Sequence, residues 1–361
     1  MQPSTEHAPR RERLIANFAE WKVDSLLVTA LPNVRYLSGF TGSNAALLLT
    51  PRESTLFTDP RYTFQSAQEC DCRVAITKNH LLPAVVSAIS RRKLKRIGVE
   101  RDRLTFQAFD FLREKLPLGV EMAPLTAAVE TLRMVKSPEE ITRIRRAVNT
   151  NSKAYAAALT RLRPGMSEND LAAELDFQMR RHGAEGCAFE TIVASGARAA
   201  LPHARPTRNR IEPDQLLLID MGAAQDGYAS DMTRTVFVGS AKSEWKRRYR
   251  AVLEAQLAAI AAIRAGVAAA KPDREARRVL AAHGLDKEFT HSTGHGLGLE
   301  IHEPPRLGKK ETTILQAGMT ITVEPGIYLK DKGGIRIEDT VLVTESGCEI
   351  LTPTTKDLTV F

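Results

Sequence analysis

The 361-residue sequence predicts an α+β protein carrying a smaller α/β layer at its start. Three observations predict it. Up to about residue 130, short apolar runs alternate with helical periodicity, the pattern of strands layered with helices. Capping signals at Ser137 and Ser167 then open two amphipathic helices. The last third is built of β-branched runs separated by Gly-containing turns, which suits a curved antiparallel sheet with helices outside it. The expected domains are residues 1–132 and 133–361.

In chain order, residues 9–20 read as a short basic amphipathic helix and 25–30 as a strand. NVRYLSGF (33–40), AALLLT (45–50) and STLFTD (54–59) follow as short apolar runs punctuated by Gly, Pro and polar turns. Residues 81–91 look helical, 96–100 extended and 104–115 helical again, giving a mixed sheet. Gly39, Gly42 and Ser43 do not complete a phosphate loop, so nucleotide binding is not expected there. Ser137 can cap a helix, with Pro138 in the first turn and Glu140 closing a capping box. Ile141, Ile144, Ala147 and Val148 supply its apolar face. Ser167 and Asp170 begin a second helix that ends before Gly183. Strands are expected near 188–194, 215–220 and 233–238, helices near 243–265 and 273–283, and strands near 319–324, 326–330 and 334–343.

Composition agrees with a chain that folds in water. Charged residues make up 26% and hydrophobic ones 43%. The net charge of +8 comes from basic residues scattered in short clusters, two of them on helical patterns, so no nucleic-acid partner is expected. Cys70, Cys72, Cys187 and Cys348 show neither zinc-ribbon spacing nor a nucleophile signature and read as reduced thiols. The N-terminus has no apolar stretch of secretory type, and the alanine-rich window 257–270 carries Arg264. A cytoplasmic protein without a membrane partner is expected.

Five residues carry the chemistry. Asp220 ends the apolar run Leu216–Ile219, and Asp231 lies 11 residues later, beyond a turn at Gln225, Asp226 and Gly227. A hairpin would bring both to one end. Glu324 closes MTITVE, Glu338 lies in GIRIED, and His295 lies in HSTGHGLG. Arg336 and Glu338 share one face, opposite Ile335 and Ile337. Carboxylates inside apolar strands must find partners or shift their pKa values. A pair of divalent cations is the simplest partner for four of them.

These segments resemble the catalytic domain of the pita-bread metallopeptidases, which include methionine aminopeptidase, Xaa-Pro aminopeptidase and Xaa-Pro dipeptidase (prolidase). The matching parts are Asp220, Gly227–Thr235, His291–Gly296, Glu324–Gly326 and Arg336–Glu338. YLSGFTGSNAALLL with TDPRY resembles the creatinase-type N-terminal domain joined to prolidases and Xaa-Pro aminopeptidases. The resemblance implies a pita-bread fold and a dinuclear centre. Asp231 and Glu338 would bridge both ions, His295 and Glu324 would complete one shell, and Asp220 would hold the other ion. Manganese is the family's frequent metal; cobalt and zinc suit the same donors. A water shared by the ions would become the attacking hydroxide, with Glu324 moving its proton.

The resemblance further implies that His302 polarises the scissile carbonyl, that His203 and His291 contact substrate, and that Tyr328 and Arg336 support the site. The leading expectation is an Xaa-Pro aminopeptidase acting on peptides with proline at the second position. Xaa-Pro dipeptidase is the alternative, with methionine aminopeptidase and a non-peptidase binding protein further off. A homodimer is the assembly the family implies.

Overall fold

The computed structural model describes residues 6–78 and 80–361, which form two units, one ending at Arg133 and one running from Met134 to Phe361. In the first unit, six strands form one mixed sheet. Their spatial order is Arg73–Ile76, Ser54–Thr58, Ala45–Leu49, Ser25–Val28, Arg96–Glu100 and Glu121–Leu125. Ser25–Val28 and Ala45–Leu49 are buried at every position, which is why they read as unbroken apolar runs. Helices Leu81–Arg91 and Phe106–Lys115 contribute Val85, Ile89 and Leu112 to a cluster with Leu27, Leu48 and Val99.

Two local expectations change. The run NVRYLSGF belongs to a helix, Leu31–Ser38, started by Pro32 and stopped by Gly39 in the left-handed region (φ 81°). Its buried residues Asn33, Val34, Tyr36 and Leu37 have helical spacing, which the short apolar run concealed. The opening basic helix divides into His7–Ile15 and Phe18–Trp21, and two of its arginines are buried. Arg10 donates to the Tyr36 carbonyl at 3.0 Å; Arg11 donates to the Leu37 carbonyl and, at 2.6 Å, to Asp71.

In the second unit the named strands pair antiparallel throughout, and one isolated parallel bridge joins Phe237 to Val360. Both expected capping boxes are formed, Ser137 with Glu140 and Ser167 with Asp170, at the heads of helices Pro138–Leu159 and Glu168–Arg181. Strand Gln215–Met221 lies between Ile192–Ser195 and Met232–Val238. Its Leu217, Ile219 and Met221 pack with Leu171 and Leu175 of the second helix. Leu216 and Leu218 face the other way, toward Tyr249, Val252 and Ile321. By the two-residue period, Asp220 shares that second face.

A five-stranded sheet has the order Glu303–Leu307, Gly294–Gly296, Thr320–Val323, Asp339–Val343, Cys348–Ile350. Helices Ser243–Ala261 and Ala270–Ala282 add Val252, Ala255, Ala276 and Leu280 to the same core as Ile321 and Val341. The expected strand 334–343 is two strands: Gly333–Arg336 pairs with Gly326–Leu329, and Asp339–Val343 pairs with Thr320–Val323. The chain changes sheets at Ile337–Glu338, yet Ile335 and Ile337 stay in the core while Arg336 and Glu338 face the acids. The short strands Gly294–Gly296 and Glu303–Leu307 were not expected, because glycines and prolines mask them. Among the described residues, no helix is long and apolar enough to cross a membrane.

Candidate metal centre and active site

Each of the five expected residues sits at a strand end or break. In the hairpin Asp220 lies opposite Thr233, and the turn at Asp226–Gly227 (φ 52° and 77°) returns the chain so that Asp231 precedes the second strand. The Asp231 carbonyl accepts from Thr340 Oγ1 at 2.9 Å. Glu324 follows strand Thr320–Val323, and its backbone N donates to the Thr293 carbonyl at 2.8 Å. Two glycines flank His295 for a steric reason. A Cβ at Gly294 would lie 2.0 Å from the Thr322 carbonyl oxygen, and one at Gly296 would lie 2.3 Å from that of Pro304. Only glycine permits this approach, and it brings His295 to the acids.

The geometry suits cation binding. Ligand atoms of Asp231, His295 and Glu338 all lie within 4.8 Å of one another. His295 Nδ1 donates to the Gly296 carbonyl at 3.0 Å, so Nε2 keeps its lone pair and lies 3.5 Å from Asp231 and 3.4 Å from Glu324. One carboxylate oxygen each of Asp220, Asp231 and Glu338 is buried with no hydrogen-bond donor. Unpaired buried carboxylate oxygens are costly, and hard divalent ions are what such oxygens coordinate. The donor set therefore fits the expected ions.

Electrostatics point the same way. Burial pushes Asp231 well above the usual carboxylate range, and the charges of Glu338, Asp220 and Glu324 add to it. Glu338 is raised well above normal by burial, then by Glu324 and Asp220. Burial lifts Glu324 to about 7, against the pull of Arg336. Burial lowers His295, keeping it neutral and able to coordinate. Arg336 resists burial because Tyr328, Asp220, Glu324 and Glu338 hold its charge.

Arg336 organises the neighbourhood. Its guanidinium donates to Asp220 at 2.6 Å, to Thr233 Oγ1 at 3.0 Å, to the Pro202 carbonyl at 3.1 Å and to Tyr328 Oη at 2.6 Å. Tyr328 Oη in turn meets His291 Nε2 at 2.9 Å, and His291 Nδ1 donates to the Ser292 carbonyl. Burial pushes His291 down to about 4 and Tyr328 up to about 12, so both are neutral near pH 7.

A cavity of about 810 Å³ is lined by Asp220, Asp231, His295, Glu324, Arg336 and Glu338 together with His203, His291 and His302. Tyr328 reaches this group only through His291 and Arg336. The His302 and His295 rings lie edge to face, 4.4 Å apart, and His302 is lowered by burial and then by His295. Phe189, Ile192, Ile301 and Pro304 give the cavity an apolar wall, Arg306 brings positive charge to it, and Arg205 is paired with Glu190 of the same lining at 3.1 Å.

Sequence reasoning did not single out Thr233, Arg205 or Arg306. Thr233 Oγ1 donates to Glu338 at 2.7 Å while accepting from Arg336. Its place two residues after Asp231 on one strand face was the available signal. Nothing near Arg205 or Arg306 in the sequence sets either apart from other surface arginines.

Comparison with known proteins agrees with this geometry. Residues 142–345 match the metallopeptidase family M24, and residues 10–135 match the creatinase/prolidase N-terminal domain. An Xaa-Pro dipeptidase of Pyrococcus horikoshii is 37% identical over 93% of this chain and 94% of its own length. A solved Xaa-Pro dipeptidase from Bacillus anthracis superposes with a TM-score of 0.96 at 36% identity, covering 98% of this chain and 100% of that one. A solved X-Pro aminopeptidase from Thermotoga maritima gives 0.91 at 37% identity, covering 98% and 100%. The second unit has the pita-bread fold and the first the creatinase-type fold. With its acid-lined cleft, its fold and more than half of its length matching one family, this chain belongs to metallopeptidase family M24.

Proposed function

We propose that this metallopeptidase is an Xaa-Pro dipeptidase, cleaving the bond that joins a first residue to a terminal proline. The observation that carries the reading is likeness over nearly the whole chain to proteins named Xaa-Pro dipeptidase. That likeness favours the dipeptidase over the aminopeptidase, which the sequence motifs alone put first. The chemistry of the cavity supports it too. A dipeptide carries its carboxylate close to the scissile bond, and Arg306 offers a guanidinium group to such a carboxylate.

Asp220, Asp231, His295, Glu324 and Glu338 would hold two divalent ions, manganese being our first choice. Bound there, the ions supply a water acidic enough to attack a carbonyl near neutral pH. Glu324, at the edge of that ion site, can take a proton from that water and release it to the proline nitrogen. His302 faces the cavity from beside His295 and can donate to the oxygen that gains charge. His203 and His291 position the substrate, and Tyr328 and Arg336 hold the ring of His291 and the carboxylate of Asp220.

The deciding assay compares an Xaa-Pro dipeptide with the matching Xaa-Pro-Yaa tripeptide under Mn²⁺. Rapid dipeptide hydrolysis with a slow tripeptide is expected. A cleaved tripeptide with an inert dipeptide would restore the aminopeptidase reading.

A further inference from the structure

His203 is carried by a segment that leaves strand Ile192–Ser195 through a 3₁₀ helix, Gly196–Ala200, reaches the cavity at Pro202–Arg205 and returns by Thr207–Asn209. Both arms of this excursion meet at Glu168, the first-turn residue of helix Glu168–Arg181, which is fully buried and does not line the cavity. From the outgoing arm, Ser195 N (2.9 Å), Ser195 Oγ (3.1 Å) and Arg198 Nε (3.0 Å) donate to its carboxylate. From the returning arm, Thr207 N (3.1 Å) and Thr207 Oγ1 (2.9 Å) donate to it. The helix backbone adds two more ties, Glu168 N to the Asn209 carbonyl and Asn169 N to the Thr207 carbonyl. At the far end, the Pro202 carbonyl accepts from Arg336.

We propose that Glu168 is a positioning residue for His203: its carboxylate clamps both arms of the segment so that the imidazole is presented to the substrate. The chemistry requires a carboxylate. It is an acceptor with two oxygens, and each oxygen meets a backbone N–H that can only donate, Ser195 N at one and Thr207 N at the other, with the Arg198 guanidinium beside them. An amide in its place would turn an NH₂ group toward one arm and leave those donors buried without an acceptor. The histidine's role rests on the dipeptidase reading; the clamp itself does not.

The test uses the full chain with Glu168→Gln, read in two ways. Hydrogen exchange should quicken by about tenfold or more across residues 196–209, while strands Gln215–Met221 and Met232–Val238 keep their protection. Unchanged exchange in that segment would overturn the clamp, whatever the substrate proves to be. Turnover of an Xaa-Pro dipeptide is then measured in Glu168→Gln, His203→Ala and the double variant, with Mn²⁺ affinity followed by calorimetry. If Glu168 acts through His203, kcat falls in each single variant, metal affinity holds, and the double variant is no slower than His203→Ala. Losses that multiply would show a general structural role and refute the proposal. Should Glu168→Gln not fold, Thr207→Val removes one side-chain donor of the returning arm, keeps its backbone ties to the helix, and enters the same cycle. A wild-type chain inert toward all Xaa-Pro peptides would remove the dipeptidase reading, and the exchange measurement would still judge the clamp.

Discussion

Asp220, Asp231 and Glu338 each bury a carboxylate oxygen that no donor reaches, beside Glu324 and around the neutral Nε2 of His295. The residue-scale consequences differ by position. Glu338→Gln puts a neutral group where burial and the neighbouring acids already favour the protonated form, so in chelator it should melt no lower than the wild type, while its metal-dependent turnover vanishes. Calorimetric Mn²⁺ titration alongside thermal melting checks both halves. Thr233→Val deletes the donor that orients Glu338 and leaves every proposed ligand in place; metal affinity should fall by about 10–100-fold. Arg306→Ala should raise KM for a dipeptide and leave kcat nearly unchanged, because a contact made equally in ground and transition states affects binding alone. The acids were legible in the sequence because ionisable residues in apolar runs are rare. Thr233 was not, since a threonine in a strand is ordinary until its neighbours are known.

At the scale of elements, the site depends on two strands that can approach because glycine flanks the histidine. Gly294→Ala would set a methyl group 2.0 Å from the Thr322 carbonyl oxygen, an overlap that backbone must relieve. A loss of about 3 kcal/mol or more is expected, visible as a lower denaturant midpoint with an unchanged slope. Ser137→Ala, which undoes a capping box, should cost about 1 kcal/mol. The two capped helices were readable because capping is local, a matter of four residues. The break at Ile337–Glu338 was not, because it arises where one strand leaves the Gly326–Leu329 partner and the next joins Thr320–Val323. Helix Leu31–Ser38 was obscured for a related reason: eight residues are too few for periodicity to separate helix from strand.

The whole molecule responds to pH through the same acids. Glu324 moves from its ordinary 4.5 to about 7 on folding, and Asp231 and Glu338 rise as well, so at these acids the folded chain without cations binds more protons than the unfolded chain. The stability these groups contribute is present below about pH 4.5 and is lost as pH rises through their folded values. Above about pH 6.5, where the lowered histidines are neutral in both states and no longer oppose the acids, chelated protein should melt at progressively lower temperature as pH rises toward 8, and saturating Mn²⁺ should restore the melting temperature most at the upper end. Melting curves that ignore pH in chelator would contradict the crowding of charge. In the first unit, burial depresses His7, which makes that unit lose stability as pH falls through the ordinary histidine value of 6.5 toward the lower folded one.

By itself the sequence determined the α+β class, both helix caps, the hairpin turn and the four acids that line one cavity, because each is written in local pattern or in the cost of burying charge, and the family resemblance added His295. Tertiary structure alone decided which oxygens lack donors, which arginines face the cavity, and how Glu168 holds the segment bearing His203. Those are contacts between residues far apart in the chain, and no local pattern records which distant groups a fold will bring within hydrogen-bonding distance.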